Sequence, residues 1–434
     1  MSCWLLAYLI LAAWAMVQSL LLALQMWENR RYAQSGMRRL HHHRPTGRAV
    51  VIAPCKGIDV GAAENLRALF RQDYDDYEVT FVVESAADPV CAAIRRVMAE
   101  HPERVSRLVV AGLAVGSGQK NHNLRAATAR LSPEIEYLAF VDSDAQPRPQ
   151  WLRLLIARLD RPGTGATTGY RWFIPAQRSL PNCLLYSINC GAMMLLGRRS
   201  YYLIWGGSWA IRRELFDSLA TRQTWKGSLS DDLLMSNVLR RAGLPTRFEP
   251  AAVVASPVQQ TWREMFAFLR RQYIFGRDQM PHLWIVGIVG SSLANLAWLA
   301  SLAAIGAALL WRSPWLWIPL GASAALYLIS AYRGALRQSL VRSYFPEQYS
   351  ALRAPRQFDI WAGPLAGLVN GLALLGSMFG RRIRWRGIEY HLTRDGRIRL
   401  VRHEALPAQW PAGDQADHHG PQSAAEEFQP APAG

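Results

Sequence analysis

Cysteine is scarce and scattered. The five residues, Cys3, Cys55, Cys91, Cys183 and Cys190, have no CxxC spacing. That argues against a zinc cluster, gives no sign of a disulfide framework, and fits a reducing compartment. There is no internal repeat. Acid is in deficit: 32 Asp and Glu stand against 49 Lys and Arg, a net charge of +17. A basic balance suits nucleic acid, an anionic membrane or an anionic substrate. Here much of the excess lies beside apolar segments and no aromatic-basic recognition module is present. Nucleic acid is therefore set aside and anionic lipid favoured. Charge of either sign is missing from four long stretches, residues 3–27, 283–311, 313–332 and 360–380.

What is present is apolar. Half of the residues are hydrophobic and 17 are Trp, rich for a soluble protein and suggestive of a membrane part. The stretch 3–27 is about one bilayer crossing long. It has no basic n-region and is long for a signal h-region, so it reads as an anchor. A collar with Arg30, Arg31, Arg38, Arg39, three His and Arg44 follows. By the positive-inside rule it is cytoplasmic and the N-terminus outside. The stretches 283–311 and 313–332, parted only by Arg312, read as a hairpin across the bilayer, and the basic 333–356 as cytoplasmic. The last stretch, with several Gly and Pro364, either crosses and leaves the tail outside or is re-entrant and leaves it inside. Residues 408–434, rich in Pro, Ala, Gln and Gly, are expected to be disordered. The expected division is an anchor over 1–30, a cytoplasmic domain over 48–280, membrane segments over 281–380, a basic segment over 381–407 and that tail.

Between anchor and hairpin the pattern is α/β. Apolar runs at 49–53, 77–83, 107–111 and 137–141 predict strands, and helical spacing at 61–72, 88–101 and 121–131 predicts helices between them. Such alternation predicts a mostly parallel sheet with helices on both faces. Residues 164–170 and 206–211 are candidate further strands. Residues 180–197 suit either a core segment or a helix at the membrane surface. Ser230-Asp231-Asp232 caps a helix over 233–242 that Gly243 closes.

The fourth strand organises the chemistry. Tyr137-Leu-Ala-Phe-Val-Asp142-Ser-Asp144 delivers two carboxylates to a strand's C-terminal end, where ligands bind in open α/β sheets. Two acids there can hold a hard divalent cation, which can neutralise a diphosphate. One Asp-x-Asp is common in solvated turns; the company it keeps gives it meaning. Glu84 closes the second strand, and Asp231 and Asp232 open a late helix, where they would also serve as plain caps. Lys56 and Lys120 each follow a strand in a glycine-containing turn able to offer N–H groups and a cation to phosphate, without Walker spacing. Trp205-Gly206-Gly207-Ser208 permits close backbone approach and can border an acceptor pocket.

In this order the motifs resemble glycosyltransferase family 2 and, within it, the ceramide glucosyltransferase-like branch. Pro54-Cys-Lys-Gly-Ile-Asp59 with Asn65-Leu66 and Asp73-Tyr74 resembles the branch's opening block. Lys120-Asn-His-Asn-Leu124 resembles its Lys-x-x-Asn-Leu segment, and Trp385-Arg-Gly-Ile-Glu-Tyr390 a short motif beyond the last membrane segment. The resemblance implies a GT-A-like fold and a metal, Mg²⁺ or Mn²⁺, on Asp142 and Asp144. It implies donor contacts from Lys56, Glu84, Lys120, Asp142, Arg270 and Arg271, and Asp232 as general base. On the acceptor side it implies Gly206, Gly207, Ser208, Asp231, Gln272 and Tyr273. The family's Gln/Arg-x-x-Arg-Trp box falls at Phe268-Leu-Arg-Arg-Gln-Tyr273 and lacks its Trp, which speaks against a processive polymer synthase. The expected activity is inverting transfer of a sugar from a nucleotide-sugar donor to an acceptor, with a lipid hydroxyl at the cytoplasmic leaflet preferred. A polysaccharide synthase and a catalytically silent scaffold are the alternatives.

Overall fold

A computed structural model describes residues 3–39, 44–198, 203–394 and 396–403. The expected disordered tail, the end of the basic segment and the three His of the collar lie outside these residues.

Seven strands form the central sheet: β1 (Arg48–Pro54), β2 (Tyr77–Val83), β3 (Ser106–Val110), β4 (Ile135–Val141), β5 (Ala166–Pro175), β6 (Ser208–Arg212) and β7 (Thr246–Val258). Their spatial order is β3-β2-β1-β4-β6-β5-β7, and only β6 runs against its neighbours. Alternate residues feed two cores. Val51, Phe81 and Ala139 pack with the helices Ala62–Phe70, Val90–Glu100 and Trp151–Leu159. Val50, Ile52 and Phe140 pack on the other face with the helices Gln119–Thr128 and Asp232–Arg241. Burial on both faces explains why the strands read as continuous apolar runs rather than alternating ones.

Two elements escape the sequence pattern. The helix Trp151–Leu159 was not expected, and neither was β7, whose Pro250 and Pro257 read as strand breakers. β7 lies at the sheet's edge, where a missing N–H costs no ladder bond. The open question at 180–197 resolves towards core. The helix Leu180–Met193 buries Leu184, Tyr186 and Cys190, and Tyr186 and Cys190 lie in a cluster with Trp172 and Tyr344.

Three helical spans, Leu5–Met37, Pro281–Leu310 and Pro314–Tyr344, are long and apolar enough to cross a membrane. They present Ile10, Leu21, Leu24, Val286 and Leu328 outward, each more than half exposed, as side chains facing lipid do. The first helix runs on to Arg39 and is stapled to the α/β domain: Tyr32 donates to the Phe248 carbonyl of β7 (2.8 Å), and Asn29 to that of Met194 at the end of the helix Leu180–Met193 (2.6 Å).

The third C-terminal apolar stretch belongs to a bent pair, Arg353–Trp361 and Gly363–Gly376, at 81°. Its second limb has 14 residues, about 21 Å of helix, against about 30 Å of hydrocarbon. Asp359, at the bend, is fully buried and accepts from Arg337 (3.0 and 2.8 Å), Gln338 (2.6 Å) and Ser187 (2.6 Å). Beyond the pair the chain forms an antiparallel sheet of β8 (Arg382–Trp385), β9 (Ile388–Leu392) and β10 (Ile398–His403). This sheet returns to the large sheet's domain. The Gln119 N–H donates to the Tyr390 hydroxyl (3.2 Å) and the Ile398 N–H to the Gly227 carbonyl (3.1 Å). The basic segment thus packs against the large sheet, and the bent pair, a broken span or a re-entrant loop by its shape, leads the chain back to it.

Candidate active site

The C-terminal ends of the parallel strands and the start of β6 share one rim. A cleft of about 490 Å³ opens there, lined by Lys56, Lys120, Asp142, Asp144, Asp231 and Asp232 among others. Lys120 sits at its centre. Its Nζ lies 2.9 Å from Asp142 Oδ1 and 3.1 Å from Asp231 Oδ1. One side chain therefore ties the end of β4 to the start of the Asp232–Arg241 helix.

The glycines beside it are there for space. A Cβ on Gly206 would lie 2.9 Å from Asp231 Oδ2, 3.0 Å from Lys120 Nζ and 3.1 Å from Asp232 Oδ2. On Gly207 it would overlap the Trp205 ring and lie 2.6 Å from Asp142 Oδ2. Their backbone also reaches both acids: the Gly206 N–H donates to Asp232 Oδ2 (2.9 Å), and the Asp142 N–H donates to the Gly207 carbonyl (3.3 Å).

The four acids differ in environment. Burial works against the charged form of Asp142, but Lys120 and Arg171 overcome it and hold its carboxyl below the usual range. Asp144 is pushed up by burial and by its neighbour Asp142, against the pull of Arg171, whose Nη1 lies 3.1 Å from Asp144 Oδ2. Asp231 is pushed up to about 7, by burial first and then by Asp232 and Asp142, with Lys120 opposing. Its Oδ2 is buried without a hydrogen-bond partner. Asp232 is better satisfied, its Oδ1 accepting from the Ser230 hydroxyl and the Leu233 N–H, both at 2.7 Å. Burial would lower the Lys120 pKa, but Asp142, Asp231 and Asp232 together hold it above its ordinary value.

No group of three or more His, Cys, Asp or Glu able to hold a metal occurs among the described residues. The donor set here is the pair Asp142 and Asp144, and Asp144 Oδ1 is buried and unpartnered. Two carboxylates suit a hard cation that takes its other ligands from phosphate oxygens and water, so the pair fits Mg²⁺ or Mn²⁺.

Not every expected residue reaches the cleft. Lys56 and Gln272 line it. Glu84 lies behind Lys56, ion-paired to it, with Oε2 buried and unpartnered. Ser208 is wholly buried, donating to the Ala252 carbonyl (3.0 Å) and accepting from Trp151 Nε1 (2.7 Å), a structural bond between strands and helix. Tyr273 turns to Asn370 of the bent pair, outside the cleft lining. Arg270 needs correcting as a donor contact. Its guanidinium is taken up by the carbonyls of Gly376 (3.2 Å), Phe379 (2.6 Å) and Arg382 (3.3 Å), where it caps a helix end.

Arg271 does enter the cleft. It stacks on Phe268 (5.2 Å) and Trp385 (5.0 Å), its Nε is buried without a partner, and burial beside Arg171 and Arg386 lowers its pKa to about 9. Sequence reasoning missed Arg171, and it held Arg386 only as part of the Trp385–Tyr390 motif, without a place in the site. A signal for Arg171 existed: a lone charge inside the apolar strand Tyr170-Arg-Trp-Phe173.

Comparison with known proteins follows the same line. Ceramide glucosyltransferase 1 of Caenorhabditis elegans is 31% identical over 93 residues, 20% of this chain and 20% of that one. The match thus spans about a fifth of that relative's length. The mannosyltransferase PcManGT from Pyrobaculum calidifontis, solved with GDP-Man and Mn2+, is similar at 18% identity and a TM-score of 0.42, covering 83% of this chain and 99% of that one. GalNAc-T7, solved with UDP, GalNAc and Mn2+, is similar at 10% identity and a TM-score of 0.38, covering 54% and 52%. Both superpositions are too loose to bear on this chain's chemistry. None of these likenesses is specific to family 2. The family model of glycosyl transferase family 21 matches residues 8–398, from the first membrane helix into the C-terminal sheet, and the chain belongs to that family.

Proposed function

We propose that the protein moves a sugar from a nucleotide-sugar donor to a lipid hydroxyl, with inversion at the anomeric carbon, as a ceramide glucosyltransferase-like enzyme. The observation that carries this is the Lys120 bridge. It brings a cation-suited acid pair and a second acid pair into one cleft.

In this reading Asp142 and Asp144 hold a divalent cation, which when bound offsets the charge of the leaving nucleoside diphosphate. Arg271, a buried guanidinium without a carboxylate partner among the described residues, binds that same diphosphate. Lys56 and Glu84 lie on the nucleotide side. Asp232 accepts the proton from the acceptor hydroxyl as it attacks the anomeric carbon. Its carboxylate faces the cleft while the Gly206 N–H and Ser230 hydroxyl fix its orientation. A second assignment is favoured by one observation: Asp231 carries an unpartnered buried oxygen and a carboxyl pushed up to about 7, in the range a general base needs.

The lipid acceptor is supported by the apolar wall of the cleft. Phe173, Leu185, Val258 and Phe268 line it. They belong to the cluster that takes in Ala366, Val369 and Ala373 of the bent pair. An amphiphile can therefore lie along membrane-level side chains with its hydroxyl at the acids. The basic collar supports a cytoplasmic catalytic side.

The test incubates membranes containing the protein with a panel of labelled nucleotide sugars, then examines organic and aqueous fractions by mass spectrometry. Label in a lipid of one added sugar is expected. Label only in a water-soluble polymer would replace this reading with a polysaccharide synthase, and no transfer from any donor would leave a scaffold.

A further inference from the structure

Trp385-Arg386-Gly387-Ile388 joins β8 to β9 by a two-residue turn in which both central residues have positive φ, 49° at Arg386 and 71° at Gly387. That is the pattern of a type I′ hairpin, where Asn-Gly or Gly-Gly is preferred. A long side chain in the left-handed region costs roughly 1 kcal/mol or more and persists where its surroundings over-determine it. Hairpin tips normally point to water. This one enters the cleft: the Arg386 side chain is only 33% exposed. Its Nη2 lies 2.6 Å from Asp59 Oδ1, and its Nη1 donates to the Lys56 carbonyl.

Asp59 Oδ2 in turn accepts from the Ser143 hydroxyl at 2.6 Å, and Ser143 stands between Asp142 and Asp144. A chain of three residues thus runs from the hairpin tip to the cation-suited acids. The preceding residue, Trp385, lies under Arg271 at 5.0 Å. Arg171, Arg271 and Arg386 converge on one cleft. Asp144 answers the first and Asp59 the third, while Arg271 has no carboxylate partner among the described residues. Three guanidiniums thus line the cleft beside the cation-suited acids, a setting that attracts an anion.

We propose that the C-terminal hairpin is a wall of the donor site, with Arg386 binding the diphosphate of a nucleoside-diphosphate donor and Trp385 positioning Arg271 against it. This rests on the nucleotide-sugar reading above. Guanidinium and diphosphate pair in fork geometry, and the Asp59 tether holds the fork in place before the ligand arrives.

The experiment measures binding of UDP, GDP, CDP and ADP, and of the matching nucleosides, to the full chain in nanodiscs with Mn²⁺. Arg386→Ala should weaken the best diphosphate about ten- to a hundredfold and leave its nucleoside unchanged. Arg386→Lys should retain part of the affinity, and serves if the alanine variant fails to fold. Trp385→Leu should weaken the diphosphate three- to tenfold and add nothing when Arg271 is already Ala. Diphosphate binding by wild type that Arg386→Ala and Arg386→Lys leave unchanged overturns the hairpin's role. Equal loss of diphosphate and nucleoside does so as well. If wild type binds no nucleoside diphosphate, it is the nucleotide-sugar reading that falls.

Discussion

Replacing Lys120 by Ala removes the one cation that, among the described residues, is ion-paired to both acid pairs. Each of its contacts, at 2.9 and 3.1 Å, has a gross Coulomb energy of about 5 kcal/mol at an effective dielectric near 20. The ammonium's own desolvation cost is recovered, so the net loss is smaller, about 3–5 kcal/mol, typical of leaving a buried charge unanswered. At about 2 °C per kcal/mol that is roughly 6–10 °C in Tm. The loss has a pH signature. Asp231 is already pushed up to about 7 by burial, and the variant removes the neighbour that holds it down. A carboxyl whose folded pKa exceeds its unfolded value near 4 binds more protons folded than unfolded between the two. Its contribution to stability is full below about pH 4 and is lost as pH rises towards 7 and beyond. The variant should therefore fall further below wild type at pH 8 than at pH 5. Scanning fluorimetry of solubilised protein across pH 5–8 reads both quantities. A variant that melts within 2 °C of wild type at every pH would refute the bridge.

Three other substitutions separate chemistry from architecture. Asp232→Asn should cut turnover about 10²- to 10⁴-fold while nucleoside diphosphate affinity persists; if Asp231→Asn alone does this, the base is Asp231. Gly206→Ala places a methyl within 3.1 Å of three charged atoms, and kcat/KM for the identified donor should drop about tenfold or more with little change in donor affinity. Asp359→Ala strips four hydrogen bonds from a buried carboxylate and strands Arg337. A loss of about 3–5 kcal/mol is expected, seen as a lower Tm that added donor does not selectively restore.

Most of the sheet was legible because buried parallel strands are short apolar runs with polar ends, and 77–83 was read to the residue. β7 was not, because proline carries a strand-breaking meaning that only an edge position cancels. The cleft acids were legible for a related reason: strands of one direction end on one rim, so Asp142, Asp144 and Asp232 had to converge once the helix start faced it. Arg270 and Arg271 show the limit. Adjacent on a helix, they point about 100° apart, and a sequence cannot say which faces the cleft when the partner surfaces, Gly376 to Arg382, lie a hundred residues on. Arg386 stood in a legible motif, but the surface it meets was hidden by the same distance. It reaches Asp59 across more than 300 residues, beyond the range of any local pattern.

The returning C-terminal sheet bears on how this enzyme comes into being. A polypeptide cut at residue 280 would hold every acid of the cleft yet lack Trp385, Arg386 and Tyr390, which line it. The helices Pro281–Leu310 and Trp317–Gln338 and the bent pair must therefore be made before the last strands are free to dock. The cleft is therefore incomplete until the last strands of the chain have been made and docked.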